Sequence, residues 1–210
     1  MAENYGQDSV AIPADDILAE GFPIVSKAVV LAAGAGALVR GTVLGLVTLG
    51  AAVAAKVSGT GDGDVAAAAV TLGKYAQPGV YRLVCTAESA GAGTFSVQTP
   101  TGQMLKPLTV AAAYASDHIN LTVPDGAADW DIGDVITVTV AAGSGQAKPY
   151  AANAVDGSQH AALILGHAIT VGDDPVSAVA YRTGAFRRAK LIGLDAAAVA
   201  QLDARSIFVR

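Results

Sequence analysis

Four aspartates crowd one short segment around a lone tryptophan: Asp125, Asp129, Asp131 and Asp134 flank Trp130 and Gly133. A calcium loop places carboxylates at alternating positions, a glycine at the sharp turn and a bidentate glutamate further on. Asp129 and Asp131 alternate and Gly133 sits in the turn, but no glutamate follows. Two readings stand, acidic turn chemistry between strands and a weak Ca²⁺ site, and the first asks less of the spacing. The three histidines, His118, His160 and His167, have no third ligand at metal spacing, and C-x-x-C, H-x-H and H-E-x-x-H are all missing. They read as packing or surface residues, and neither metal nor cofactor is expected. Ser58 and Ser144 lie in glycine-rich joins and not at a strand-to-helix elbow, so neither reads as a nucleophile. Glu3, Glu20 and Glu88 are too scattered for a glycosidase pair, and there is no phosphate-binding G-x-x-x-x-G-K-[ST] run. Val29 to Gly36 starts like a dinucleotide-binding turn, but the third glycine is missing and Arg40-Gly41-Thr42 breaks the helix that should follow. The single cysteine, Cys85, shares strand parity with Tyr81 and Leu83 and has no basic neighbour, so it reads as a buried small hydrophobe. No catalytic residue is expected, and the chain does not read as an enzyme.

The elements tell more than the reactive groups. The 210 residues are 52% hydrophobic, mostly through Ala and Val, with 5% aromatic and 15% charged residues, and glycine is frequent besides. A surface this poor in charge calls for a partner to cover part of it. The net charge of −5 and the brevity of Arg187-Arg188-Ala189-Lys190 argue against nucleic acid. The apolar stretch from Ala28 to Val57 is split by Arg40, and the uncharged run Gly41 to Ala55 is shorter than the ~20 residues of a spanning helix, so no membrane partner is expected. Met1 to Tyr5 lacks the basic-then-apolar pattern of a secretory signal.

Residues 1–26 read as an arm. Acidic and polar residues alternate there with the isolated hydrophobes Tyr5, Val10, Ile12, Ile17, Leu18, Phe22 and Ile24, and Pro13 and Pro23 interrupt any long helix. Such a segment gains order from a partner and not from a core of its own. Short apolar strands follow at Val29–Leu31, Leu38–Arg40 and Thr42–Val47. The join Ser58–Asp64 and a second one at Ala142–Gln146 enclose alternating β-branched runs at 80–86, 94–98, 119–123 and 135–140. Two matching joins around one compact pattern read as a small β-sandwich, residues 58–146, inserted into an outer unit of residues 27–57 and 147–210. In the outer unit, Asp156-Gly157 is a turn and Ala162–Leu165 a strand apolar on both faces, hence central. A further strand runs over 176–181. Asp195 caps one clear helix from Ala196, and Ser206–Val209 is a final strand or docking segment.

The succession Arg40-Gly41-Thr42-Val43-Leu44-Gly45, the Asp156-Gly157 turn, the apolar strand with Ile164 and Leu165, and the Gly184-Ala185-Phe186 corner resembles the head decoration proteins of tailed phages. The resemblance implies a mainly β, β-clip-like fold with one C-terminal helix, here carrying the inserted β-sandwich. It implies a structural virion protein on the outer capsid surface, with the major capsid protein and further copies of itself, as a homotrimer at local three-fold positions, for partners. It also implies that the arm, Tyr5 to Ile24, orders against the capsid protein, and that no catalytic chemistry is needed to stabilise the head against DNA pressure. A receptor- or glycan-binding module acting through the inserted domain is the alternative.

Overall fold

The chain is described here from a computed structural model, over residues 17–19 and 21–210. In chain order its strands are β1 Val25–Leu31, β2 Gly36–Leu38, β3 Val43–Leu46, β4 Leu49–Ser58, β5 Thr71–Leu72, β6 Gly79–Ala87, β7 Thr94–Gln98 and β8 Leu108–Thr109. They continue with β9 Ile119–Asn120, β10 Val135–Ala142, β11 Ala147–Pro149, β12 Ala161–Leu165, β13 Ile169–Val171, β14 Val176–Phe186 and β15 Ile207–Val209. Among the described residues one α-helix, α1 (Ala196–Asp203), precedes β15, so the fold is mainly β with a single C-terminal helix. Asp195 caps it as expected: its carboxylate accepts the Ala198 N–H at 2.6 Å.

The all-apolar run Ala161–Leu165 becomes a central strand, buried at all five positions. β12 is paired antiparallel to β3 on one side and β14 on the other. β14 also pairs with β1, β1 runs parallel to β11 through Leu31 and Ala147, and β11 pairs with β3, so the pairings close into a small barrel. The period of two sorts its residues. Leu44, Leu163, Leu165, Val29, Leu31 and Ala180 form one cluster, joined by Leu38 and Val171 from the β2–β13 ribbon. Their strand neighbours Val43 and Ile164 point the other way, into a second cluster with Ile17, Phe186, Ala198, Leu202 and Ile207. The first cluster is the barrel interior and the second glues α1 and β15 to its outer wall. β14 runs beyond the expected 176–181, continuing through Gly184 to Phe186, so the expected corner lies inside a strand that changes partner there to parallel β15.

The second sheet has the order β4-β10-β6-β7-β8. Its inner face carries Tyr81, Leu83, Cys85, Phe95, Val97, Ile136 and Val138. The cover is not a second full sheet, as a sandwich requires. It is the two-stranded β5–β9 ribbon with loop residues Val110, Tyr114, Val123 and Trp130. Two expectations shift at the boundary. Residues 49–57, assigned above to the outer unit, are β4 and hydrogen-bond along β10 in this sheet. The glycine-rich join at 58–64 is packed: a Cβ on Gly61 would lie 2.5 Å from the Trp130 ring, and one on Gly59 would collide with the Asp134 carboxylate. The chain instead crosses between the sheets at residues 47–48 and 143–146, side by side, with Gly143 N–H donating to Thr48 O and Gly145 N–H to Val47 O, both at 2.9 Å.

Candidate functional site

Several of the aspartates hold loops together through their carboxylates. Asp134, buried, accepts backbone N–H groups of Thr60 (3.2 Å), Gly61 (3.0 Å) and Asp131 (3.2 Å). Asp131 accepts the Thr60 hydroxyl, and Asp129 accepts the Gly91 N–H at 3.1 Å. These carboxylates are turned onto loop donors instead of converging, and among the described residues no three His, Cys, Asp or Glu side chains group as a metal site would. Asp131 and Asp134 fasten the Gly59–Gly61 segment to the 129–134 loop. His118 is buried with Nδ1 3.3 Å from the Tyr81 hydroxyl, while His160 and His167 are exposed. Cys85 is buried under Trp130, and burial pushes its thiol pKa up.

The motif residues do come together. Leu44 and Leu165 lie in the barrel interior, Ile164 and Phe186 in the outer-wall cluster. Arg40 donates through Nη2 to the Tyr181 hydroxyl (3.2 Å), the Thr42 hydroxyl donates to Val39 O (2.7 Å), and Gly41 N–H donates to Leu165 O (2.9 Å). Gly184 N–H donates to Ser206 O, linking β14 to the segment after α1. Gly45 meets the Asp156 turn directly. A Cβ on Gly45 would lie 2.7 Å from the Ser158 Cα and carbonyl carbon, and closer still to its oxygen. Gly157 has φ +107°, a left-handed conformation, and a Cβ there would meet Leu46 O at 2.6 Å. Asp156 closes the turn by accepting from Ser158 N–H (2.9 Å) and Oγ (2.6 Å), and its other oxygen takes Lys148 Nζ at 3.0 Å. Partial burial works to raise the Asp156 pKa, but the Ser158 hydrogen bonds and Lys148 outweigh it and hold the carboxyl below its ordinary value. The motif is thus a packing device that binds β3 to the 156–158 turn.

The arm residues divide. Tyr5, Val10 and Ile12 lie outside the described residues. Ile17 is buried in the outer-wall cluster, and Leu18 forms an antiparallel bridge with Phe186. Ala19 N–H donates to Ala185 O at 2.8 Å and Arg187 N–H to Ile17 O at 2.9 Å. These residues are committed to the chain's own fold, because the end of β14 offers them a free edge. Phe22 and Ile24 are exposed, at 41% and 46%, beside Val25 at 48%. Phe22 packs on Phe208 with ring centroids 4.6 Å apart, and the Arg210 guanidinium sits over both rings. Phe22, Pro23, Val25, Thr183, Gly184, Ser206 and Phe208 line an almost wholly apolar cavity of about 320 Å³. Phe208 and Arg210 were not singled out from the sequence. The apolar run 207–209 reads as a final strand or docking segment, but no local signal pairs Phe208 with Phe22, 186 residues earlier. The exposed patch sits where the N-terminal segment joins the barrel.

Two solved structures of Xanthomonas campestris FlgL, in space groups H3 and C2, are similar at 13% and 14% identity. The similarity covers 53% and 55% of this chain and only 34% and 33% of theirs, with TM-scores of 0.31 and 0.30. No curated protein matches the chain. A protein-family match is more telling. Residues 97–207 match the bacteriophage lambda head decoration protein D family, over just over half of the chain. The matched span runs from β7 through β10 into the barrel, taking in the Asp156 turn, β12, β14 and α1, while the Arg40–Gly45 segment lies outside it. With its mainly β fold and single C-terminal helix, the chain belongs to the lambda-type head decoration protein family, components of the phage capsid surface.

Proposed function

We propose that the chain binds the outer surface of a phage capsid as a homotrimer at local three-fold positions and stabilises the head against internal DNA pressure. The family match over residues 97–207 carries this reading. A protein that binds only the assembled shell stabilises it by mass action, and three linked contacts make weak individual ones strong. Closed symmetry suits a homo-oligomer on a symmetric lattice. The functional contacts are apolar and not catalytic, in keeping with the structural roles of the aspartates, His118 and Cys85. Residues Tyr5 to Ile24 are assigned to the major capsid protein, with one refinement: Ile17 and Leu18 anchor the segment to the barrel wall, while Phe22 and Ile24 offer apolar surface outward. Neither nucleic acid nor membrane is assigned as a partner. The charge is −5, and no helix among the described residues is long and apolar enough to cross a membrane.

The five-stranded sheet is proposed as a unit spliced into the barrel between residues 48 and 143. Its separate core and the adjacent chain crossings at 47–48 and 143–146 support this.

Cosedimentation with undecorated, expanded capsids tests the function. Full-length protein is expected to bind saturably, and a chain lacking residues 1–16, or an intact chain carrying F22S and I24S, to bind far more weakly. Absence of binding by the full-length chain overturns the proposal and turns attention to receptor or glycan recognition by the five-stranded sheet.

A further inference from the structure

One wall of the barrel is closed by a single rung. β1 pairs with β14 along its whole length but meets β11 only where Leu31 faces Ala147. The Ala32 N–H donates to Ala147 O at 2.9 Å, so by the alternation of a strand the even-numbered residues before it turn their backbone groups the same way. β14 agrees: the carbonyl of Val179, which stands opposite Ala28, is turned away from β1 to accept the Gly166 N–H at 2.8 Å. The register is regular from Ser26 to Leu31. Ser26 and Ala28 therefore present both N–H and C=O, and Val30 its N–H, to a gap in the wall. Among the described residues no hydrogen bond reaches these groups. Leu46 and the Ser144–Gln146 segment stand across the gap, and the space between is a cleft of about 300 Å³. It continues past Lys27 and Leu46 into a second cleft of about 360 Å³, whose rim carries the exposed cations Lys27, Arg182 and Arg205 and no carboxylate. A free strand edge beside an open slot is a template for an added strand.

We propose that an extended, acidic segment of the capsid protein adds to β1 in this slot and completes the barrel wall. The proposal rests on the capsid-binding reading above and gives it a second contact, apart from the N-terminal arm. The capsid protein is the occupant because the two surfaces are continuous: the free edge starts directly after Val25, which itself lines the apolar cavity of Phe22 and Phe208. Along Ser26–Val30 an added strand of about five residues fits, at ~3.3 Å per residue. Its inward side chains meet Leu46 and Leu163, and its carboxylates meet the three rim cations, none of which has an ion-pair partner among the described residues. The chain's own N-terminal residues are directed elsewhere. From Ala19 back to Ile17 the chain follows β14 from Ala185 to Arg187, away from Arg182.

Amide hydrogen exchange over Val25–Leu31 tests the slot, measured on the free full-length chain and on the same chain bound to undecorated, expanded capsids. The Ser26, Ala28 and Val30 amides should exchange fast in the free chain and about tenfold or more slowly on the capsid. Ala28→Pro removes an N–H that faces the gap and takes no bond from the β1–β14 ladder. It should keep the melting temperature near that of the wild type and weaken capsid binding about tenfold or more. Lys27→Gln with Arg182→Gln should weaken binding about threefold or more and flatten its fall with salt, and this pair serves as the test should Ala28→Pro not fold. Where the wild-type chain binds capsids, unchanged exchange at the three amides, or wild-type affinity of a folded Ala28→Pro chain, overturns the slot and leaves the decoration reading standing. A wild-type chain that does not bind overturns both. Amides already slow in the free chain that quicken when residues 1–16 are removed make the chain's own segment the occupant and overturn the proposal.

Discussion

Gly45→Ala tests the reasoning about the motif more sharply than any change of a charged group. The substitution adds one methyl group to β3. Gly45 has no positive φ, so the added carbon strains nothing locally. Its effect comes entirely from the neighbour: it would lie 2.7 Å from both the Cα and the carbonyl carbon of Ser158, and nearer its oxygen. All three atoms are backbone, and the turn that holds them is fastened by Asp156 to Ser158 and Lys148 and by Asp156 O to the N–H groups of Thr48 and Leu49. No side chain can swing away, so β3 and the turn must part by several tenths of an ångström. Overpacking costs about 1–3 kcal/mol, and a fully backbone obstruction belongs at the upper end, about 2–3 kcal/mol. For a chain of this size each kcal/mol moves Tm by roughly 2–4 °C, giving a fall of roughly 4–12 °C by calorimetry. Gly172→Ala is the internal control: a Cβ there meets nothing within 4 Å and the φ is ordinary, so Tm should hold or rise slightly. A Gly45→Ala Tm within about 1 °C of wild type, near the floor of what a ~0.5 kcal/mol change produces, refutes the claim that this glycine exists for close approach.

Two further outcomes follow from the geometry. The Asp156 carboxyl titrates in the folded chain below the ordinary value of 3.8, so its stabilisation is present above about pH 4 and is lost as pH falls through the folded-state value. Asp156→Asn should lower stability near pH 6 and flatten the acid limb of urea midpoints measured from pH 6 to pH 2.5; parallel limbs in the two proteins count against the assignment. Cys85 is buried, with burial raising its thiol pKa, so labelling by a thiol reagent at neutral pH should proceed only as fast as the sheet opens and speed up sharply in denaturant. Prompt stoichiometric labelling of the native chain contradicts the packing described.

Much of the fold was written in local pattern. Alternating β-branched runs located β6, β7 and β10, because a half-buried strand must repeat every two residues. The uninterrupted Ala161–Leu165 run marked a strand buried on both faces, and Asp195 marked the start of α1, because a cap acts within one turn. The motif segments from Asp156 to Phe186 already pointed to the decoration family. Partnership was not legible. Whether Leu49–Ser58 belongs to the barrel or to the other sheet depends on which strand offers it a hydrogen-bonding edge, and β10 begins 77 residues after Ser58. Glycines 59, 61 and 63 look flexible in sequence, yet Asp134, Trp130 and Pro124 press against them, since a missing side chain permits motion and close packing equally well. Ile17 reads as an isolated hydrophobe in an arm until the end of β14 gives it an edge and a core. Composition counts charges but does not place them. Tertiary structure alone set Lys27, Arg182 and Arg205 around one barrel mouth, and Phe22 against Phe208, because closing a sheet into a barrel brings together residues whose distance in sequence carries no signal.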